Sequence, residues 1–316
     1  MSNKTIAKFW GFVIFTAAVA AIFSGCSMTP AANVNSSKAS HFESPKITGK
    51  LANPEITESS GIAASKCQND VFWTHNDSGD DAYIFALDKS GAKLGTWKVP
   101  NAANFDWEDI SLFKDTSGKC FIYVAEIGDN QSQRDEHVVY RIREPKAGPE
   151  NSSATKQQPL TTEPADAIRF VYPDSRHNAE TLMVHPVSGD IYVVTKRVSG
   201  PAGVYRLKPD FGNRSTVKAE KVSDLSVPAI PNGFLTGGDI SPDGKRMVIC
   251  DYSAAYEFVL PDGAKNFDAI WKQEPESIDV GSRKIGEAVT YTADGRSIFL
   301  TSEGKGTQLI EVIRKN

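Results

Sequence analysis

The chain repeats one unit five times: an apolar strand, a tight turn, a second apolar strand, a polar patch and a third apolar strand. The unit is plainest over residues 105–130, where Ile110, Leu112 and Phe113 precede a turn at residues 115–118. A second apolar run, residues 121–125, then ends in Glu126, Gly128, Asp129 and Asn130. The other copies turn at Asn69-Asp70, Ser188-Gly189, Asp243-Gly244 and Asp294-Gly295. Asp-Gly between two apolar runs marks a hairpin, because such turns need positive φ. A single hairpin cannot bury both its faces, so repeated hairpins must stack on one another.

Fourth strands are expected near residues 94–99, 167–172, 219–225 and 269–272, while the fifth copy stops at the C-terminus without one. The run 47–51, ahead of the first copy, can supply it. The expected fold is therefore an all-β propeller of about five four-stranded blades, its ring closed by an N-terminal strand that removes an exposed edge. The anchors Ile62, Ile110, Leu182, Ile240 and Val289 stand 48, 72, 58 and 49 residues apart; six blades are the alternative, although no sequence for a sixth is found. The long interval contains residues 146–164, rich in Pro, Ser, Gln and Thr, which read as a surface loop.

Ahead of the repeats lies a different kind of sequence. Lys4 and Lys8 precede an apolar run over residues 9–23, and Ser24-Gly25-Cys26 follows. This is the order of a secretory signal, with an apolar core short for a membrane span. Phe23-Ser24-Gly25-Cys26 resembles a bacterial lipobox, which implies lipidation of Cys26, and Ser27 implies release to the outer membrane. The expected organisation is a signal peptide over 1–25, a flexible tether over 26–45 and a propeller over 46–316, held at the cell envelope by its lipid alone. Loss of the signal takes the net charge from −4 to −6, which argues against nucleic acid as a partner. A monomer is expected. Of the remaining cysteines, Cys67 and Cys120 fall in equivalent turns of the first two copies and are expected to form a disulfide, with Cys250 a buried thiol.

In a propeller blade the innermost strand starts on one face of the ring and the second strand returns to it. Residues before the first strand and after the second therefore crowd one mouth of the central channel. Here the first set is Glu58, Asp106, Glu108, Asp109, Glu180, Asp239 and Glu287. The second is His75, Asn76, Asp77, Glu126, Asp129, Asn130, Lys196, Arg197, Asp251 and Glu303. Converging carboxylates repel unless a cation or a proton is shared. Such an oxygen-rich set suits a hard cation, calcium before magnesium. The alternative is that these acids cap turns and bond neighbouring blades. Arg134, Arg176, His177, Lys196 and Arg197 lie on the same face, so the mouth has mixed charge that suits a small polar or anionic ligand; for Arg134 an internal ion pair is the favoured role. No nucleophile elbow or phosphate loop is present. General-base chemistry would fall to a mouth carboxylate such as Glu108, or to His75 or His177. Asp77, Asp106, Lys196, Arg197, Asp239 and Glu287 are the expected ligand contacts. Trp73 and Trp107 could stack on a ligand, although filling between blades is the commoner role and the one expected of Trp73.

The segments Glu58-Ser59-Ser60-Gly61-Ile62, Thr74-His75-Asn76-Asp77-Ser78-Gly79, Asp106-Trp107-Glu108-Asp109-Ile110, Ile127-Gly128-Asp129-Asn130 and Gly286-Glu287-Ala288-Val289 resemble those of a family of uncharacterised, exported bacterial propeller proteins. More distantly, the arrangement is similar to gluconolactonase-like and phytase-like propellers, which hold a divalent ion in the central channel and hydrolyse lactones or phosphate esters. That resemblance implies Glu58, Asn76, Asp129 and Glu180 as metal ligands. Those enzymes have six blades, whereas this chain shows five. The resulting expectation is a metal-dependent hydrolase of a lactone, ester or phosphoester, with a non-catalytic ligand- or partner-binding scaffold as the alternative and a glycoside hydrolase ranked below both.

Overall fold

A computed structural model describes residues 40–315. The expected signal peptide, Cys26 and most of the expected tether lie outside the described residues. Five sheets, antiparallel except for a short parallel edge strand on blades 1 and 2, form the blades of a propeller. From the channel outward, blade 1 comprises Ser59–Ala64, Val71–Asn76, Tyr83–Asp88 and Lys93–Lys98. Blade 2 comprises Trp107–Lys114, Cys120–Glu126, His137–Arg143 and Asp166–Val171. Blade 3 is built from Ala179–Val184, Ile191–Thr195, Ala202–Leu207 and Glu220–Leu225, and blade 4 from Gly237–Ile240, Arg246–Cys250, Ala255–Val259 and Glu276–Ile278. Blade 5 runs Gly286–Tyr291, Ser297–Ser302 and Gln308–Ile313, and Lys46–Lys50 pairs antiparallel with the last of these. The ring thus closes between the two ends of the propeller. Upstream of Lys46 the chain is still attached: Phe42 bridges Arg314, and His41 bonds Glu276.

The inner strands are buried along their length because they pack on other inner strands as well as on their own blade. Five separate hydrophobic clusters fill the five gaps between adjacent blades. Trp73 and Trp107 both lie in the gap between blades 1 and 2, fully buried. The Trp73 indole donates to Glu144 at 2.8 Å and that of Trp107 to the Ala103 carbonyl at 2.9 Å, so neither is a stacking platform for a ligand. The Asp-Gly hairpins of blades 4 and 5 turn at Gly244 and Gly295, each with φ of 68°, the left-handed region that glycine enters without a Cβ clash.

Two expectations are corrected. The run 269–272 is not the outer strand of blade 4; Phe267–Lys272 is a short 3-10 helix, and Glu276–Ile278 makes the strand. Phe267, Ile270 and Trp271 are spaced for one helical face, which packs on Tyr192 of blade 3. Nor is 146–164 simply a surface loop. Its Ala147 and Ala154 are buried, and Leu160–Thr161 adds a fifth, parallel strand to blade 1. Cys67 and Cys120 are joined in a disulfide with Cα atoms 6.1 Å apart, linking blades 1 and 2, and Cys250 is a buried free thiol.

Candidate functional site

The mouth begins with a recurrent irregularity. In four blades the register of the inner strand slips near its start, between Ser59 and Gly61, Trp107 and Asp109, Ala179 and Thr181, and Gly286 and Ala288. The extra residues are Ser60, Glu108, Glu180 and Glu287. A bulge leaves its residue outside the ladder and re-aims the side chain. Three of the five blades thereby present a glutamate at equivalent positions around one mouth. Blade 4 pairs from Gly237 without a slip.

Glu108, Glu180 and Glu287 are each 3% exposed, so their charges have little water to stabilise them. Burial raises Glu108 well above the usual carboxylate range, and Glu180, Asp77, Asp106 and Glu287 push it further by repulsion. Glu287 is pushed up to about 9 by burial and by Glu180, with Lys196 opposing. Asp77, from the end of the second strand of blade 1, and Asp106, just before blade 2, complete the group. Burial raises Asp77, and burial with the charges of Asp77 and Glu126 raises Asp106 to about 6. Carboxylate oxygens of Asp77, Asp106 and Glu108 lie within 4.8 Å of one another. None of these three makes an ion pair with a basic side chain among the described residues. Gly128 makes room for two of them: a Cβ there would stand 2.2 Å from a Glu108 oxygen and 2.3 Å from an Asp106 oxygen. An alanine there would push both carboxylates aside.

Beside this group stands one ammonium. Lys196 Nζ donates to Glu180 Oε2 at 2.6 Å and to the Tyr252 hydroxyl at 3.1 Å. It also sits 4.6 Å from the ring centre of Phe234 and 4.9 Å from that of Tyr252, a cation held between π-faces. Lys196 opens onto a cleft of about 430 Å³ whose lining includes Arg176, His177 and Arg197. Arg176 pairs with Asp135, while Arg197 is exposed. His177 Nε2 lies 3.0 Å from Asp174, 3.1 Å from Ser175 and 2.8 Å from the Tyr205 hydroxyl. Serine and aspartate share one ring nitrogen, so they do not form a relay through opposite sides of the imidazole, as a catalytic triad does.

Other expected site residues serve the scaffold. The Asn76 side-chain oxygen accepts from the amides of Thr57 and Glu58, and its amino group donates to Glu55 and Asp80. Asp129 accepts from the amides of Gln133 and Arg134, shaping its own loop. Glu58 is exposed, and its backbone bridges that of Glu303. Of the four expected metal ligands, Glu180 alone is among the mutually repelling carboxylates already described. His75 is fully buried edge-on to Trp107, and burial lowers it to about 4, which leaves it neutral. Asp109 and Asp239 lie deeper in the channel. Asp109 accepts from Leu182 and Gly238 of blades 3 and 4, at 2.9 and 3.4 Å. Asp239 accepts from Thr290 and Tyr291 of blade 5, at 2.9 and 3.0 Å. Glu126 is likewise structural, paired with Arg134 at 2.7 Å.

Tyr252, Phe234 and Asn178 were not singled out by sequence. Tyr252 follows Asp251 at a second-strand end, so the rule that found Lys196 could have found it. Asn178 and Phe234 precede inner strands, but neither is charged, and a search for charge passes over them. Asn178 bridges Glu180 and the Asp129 amide, at 3.2 and 2.6 Å.

No protein-family model matches the chain, and no curated protein matches it either. Among solved structures, a gluconolactonase of Xanthomonas campestris, described as important in glucose secondary metabolic pathways, is similar at 13% identity and a TM-score of 0.42. The match covers 86% of this chain and 95% of the other. The two share too little geometry for residues or chemistry to be carried across.

Proposed function

We propose that the acidic mouth is a divalent-cation site that positions a small polar or anionic ligand, and that the protein is a cation-dependent hydrolase of a lactone, ester or phosphoester. The observation that carries this is the trio Asp77, Asp106 and Glu108, gathered within 4.8 Å over the hollow at Gly128 with no basic partner among the described residues. All-oxygen donors of this charge fit calcium. A bound cation would polarise the scissile group. One of the mouth carboxylates would activate water, and Lys196 can hold a developing negative charge. The cleft at Arg197 and His177 gives the ligand's remote end a place to rest. Attachment through a lipid on Cys26, facing the envelope, belongs to the same proposal; mass analysis of the mature N-terminus checks it.

The test is a thermal melt of the soluble chain in EDTA and then in calcium. A midpoint that rises with calcium, and no longer rises in Glu108→Gln, supports a metal site. No response to calcium, magnesium or manganese removes it. With a cation bound, absence of turnover across lactone and phosphoester panels leaves a non-catalytic binding scaffold. The acids spent on blade-to-blade bonds, Asp109 and Asp239, are the observation on that side.

A further inference from the structure

The opposite mouth of the channel has the reverse character. It is formed by the downstream ends of the inner strands, and every blade contributes: Lys66, Leu112, Lys114, Val184, Ile240 and Ala293 are among the residues that line a cavity of about 340 Å³. That is the small end of the roughly 300–1,000 Å³ range of small-molecule sites. Leu112, Val184, Pro186, Ile240 and Pro242 give about half of its lining an apolar character.

Lys66 is the anomaly. Its side chain is 14% exposed, and its Nζ is buried with no hydrogen-bond partner. Asp239 lies 3.7 Å away, near enough to balance part of the charge but too far for a hydrogen bond. Asp239 is moreover already accepting from Ile240, Thr290 and Tyr291. Three N–H donors are thus left without acceptors at the wall of a partly apolar cavity, which is costly unless a ligand supplies them. Lys114, exposed at the rim, adds a second positive charge.

We propose that this far mouth binds a small aliphatic carboxylate, its head on Lys66 and its apolar body against Leu112, Val184 and Ile240. Two cations select the charge of the head, and the walls select an apolar body over a bare anion. The site is independent of the acidic mouth and of any reaction there.

The experiment is calorimetric titration of the soluble chain with octanoate, octylamine and inorganic phosphate, all below micelle-forming concentrations. Octanoate should bind saturably, and the other two should not. Lys66→Met should weaken octanoate by about tenfold or more, the worth of a charged hydrogen bond, and Lys66→Arg should restore part of it. Lys114→Glu tests the same charge from the exposed rim and should weaken octanoate even if Lys66→Met fails to fold. Equal binding of octanoate and octylamine, no octanoate binding, or unchanged affinity in Lys114→Glu and in a folded Lys66→Met would overturn the proposal. Binding of phosphate as well as octanoate would overturn the role given to the apolar walls.

Discussion

Replacing Glu287 by glutamine tests the electrostatics of the mouth most directly. Glu287 is raised from its ordinary 4.5 to about 9, first by burial and then by Glu180. Between those values the folded chain holds a proton that the unfolded chain has released, so stability must fall as pH rises. The contribution is complete below 4.5 and gone above about 9. A full proton corresponds to ~1.4 kcal/mol per pH unit, hence ~2 kcal/mol between about pH 7 and about pH 8.5. His75 and His137, both lowered to about 4 by burial, titrate well below that window and do not obscure it. Glu287→Gln keeps the shape without the titration. Urea unfolding in EDTA should therefore show wild type losing ~2 kcal/mol relative to the variant across the window. Calcium should flatten the wild-type curve, because a bound cation offsets the repulsion. A difference between the two proteins that is the same at both pH values would refute the reasoning, since Glu287 would then be ionised throughout.

Three further outcomes follow from named contacts. Asp109→Ala orphans the buried amides of Leu182 and Gly238 and should cost at least about 2 kcal/mol in urea unfolding, while leaving the response to calcium intact; a lost calcium response would make Asp109 a ligand. Lys196→Met strips the partner from buried Glu180 and should cost about 3–5 kcal/mol, more at about pH 8 than at about pH 5 because protonation, which burial favours, relieves the unpaired charge more readily at the lower pH. An equal cost at both would show that the ion pair is not what Lys196 supplies. Reducing the Cys67–Cys120 bond, which spans 53 residues, should lower stability by about 4 kcal/mol and the melting midpoint with it; an unchanged midpoint would show that packing between blades 1 and 2 suffices.

Local sequence signals were enough to read the blades and which face would be acidic. Hairpin turns at Asp-Gly pairs and period-two apolar runs are local signals, and five of them in series leave few ways to bury their faces. The ring closure by Lys46–Lys50 was equally legible, because the last copy lacked a strand and the first had one to spare. One segment misled for a local reason: the short apolar run at 269–272 fits a strand or a helical turn, and the helical turn is the form that packs on Tyr192. Within the acidic set, sequence could not sort function from scaffold. Asp106, Glu108 and Asp109 are nearly adjacent in the chain, yet the bulge sends Glu108 to the mouth and Asp109 down to bond blades 3 and 4. Whether an acid has a basic partner depends on neighbours far along the chain. Lys196 meets Glu180, Arg134 meets Glu126, and Asp77 makes no ion pair among the described residues but lies beside two acids of the next blade. The far mouth was hidden for the same reason: Lys66 reads as an ordinary turn lysine until five blades enclose it and leave its amino group without an acceptor.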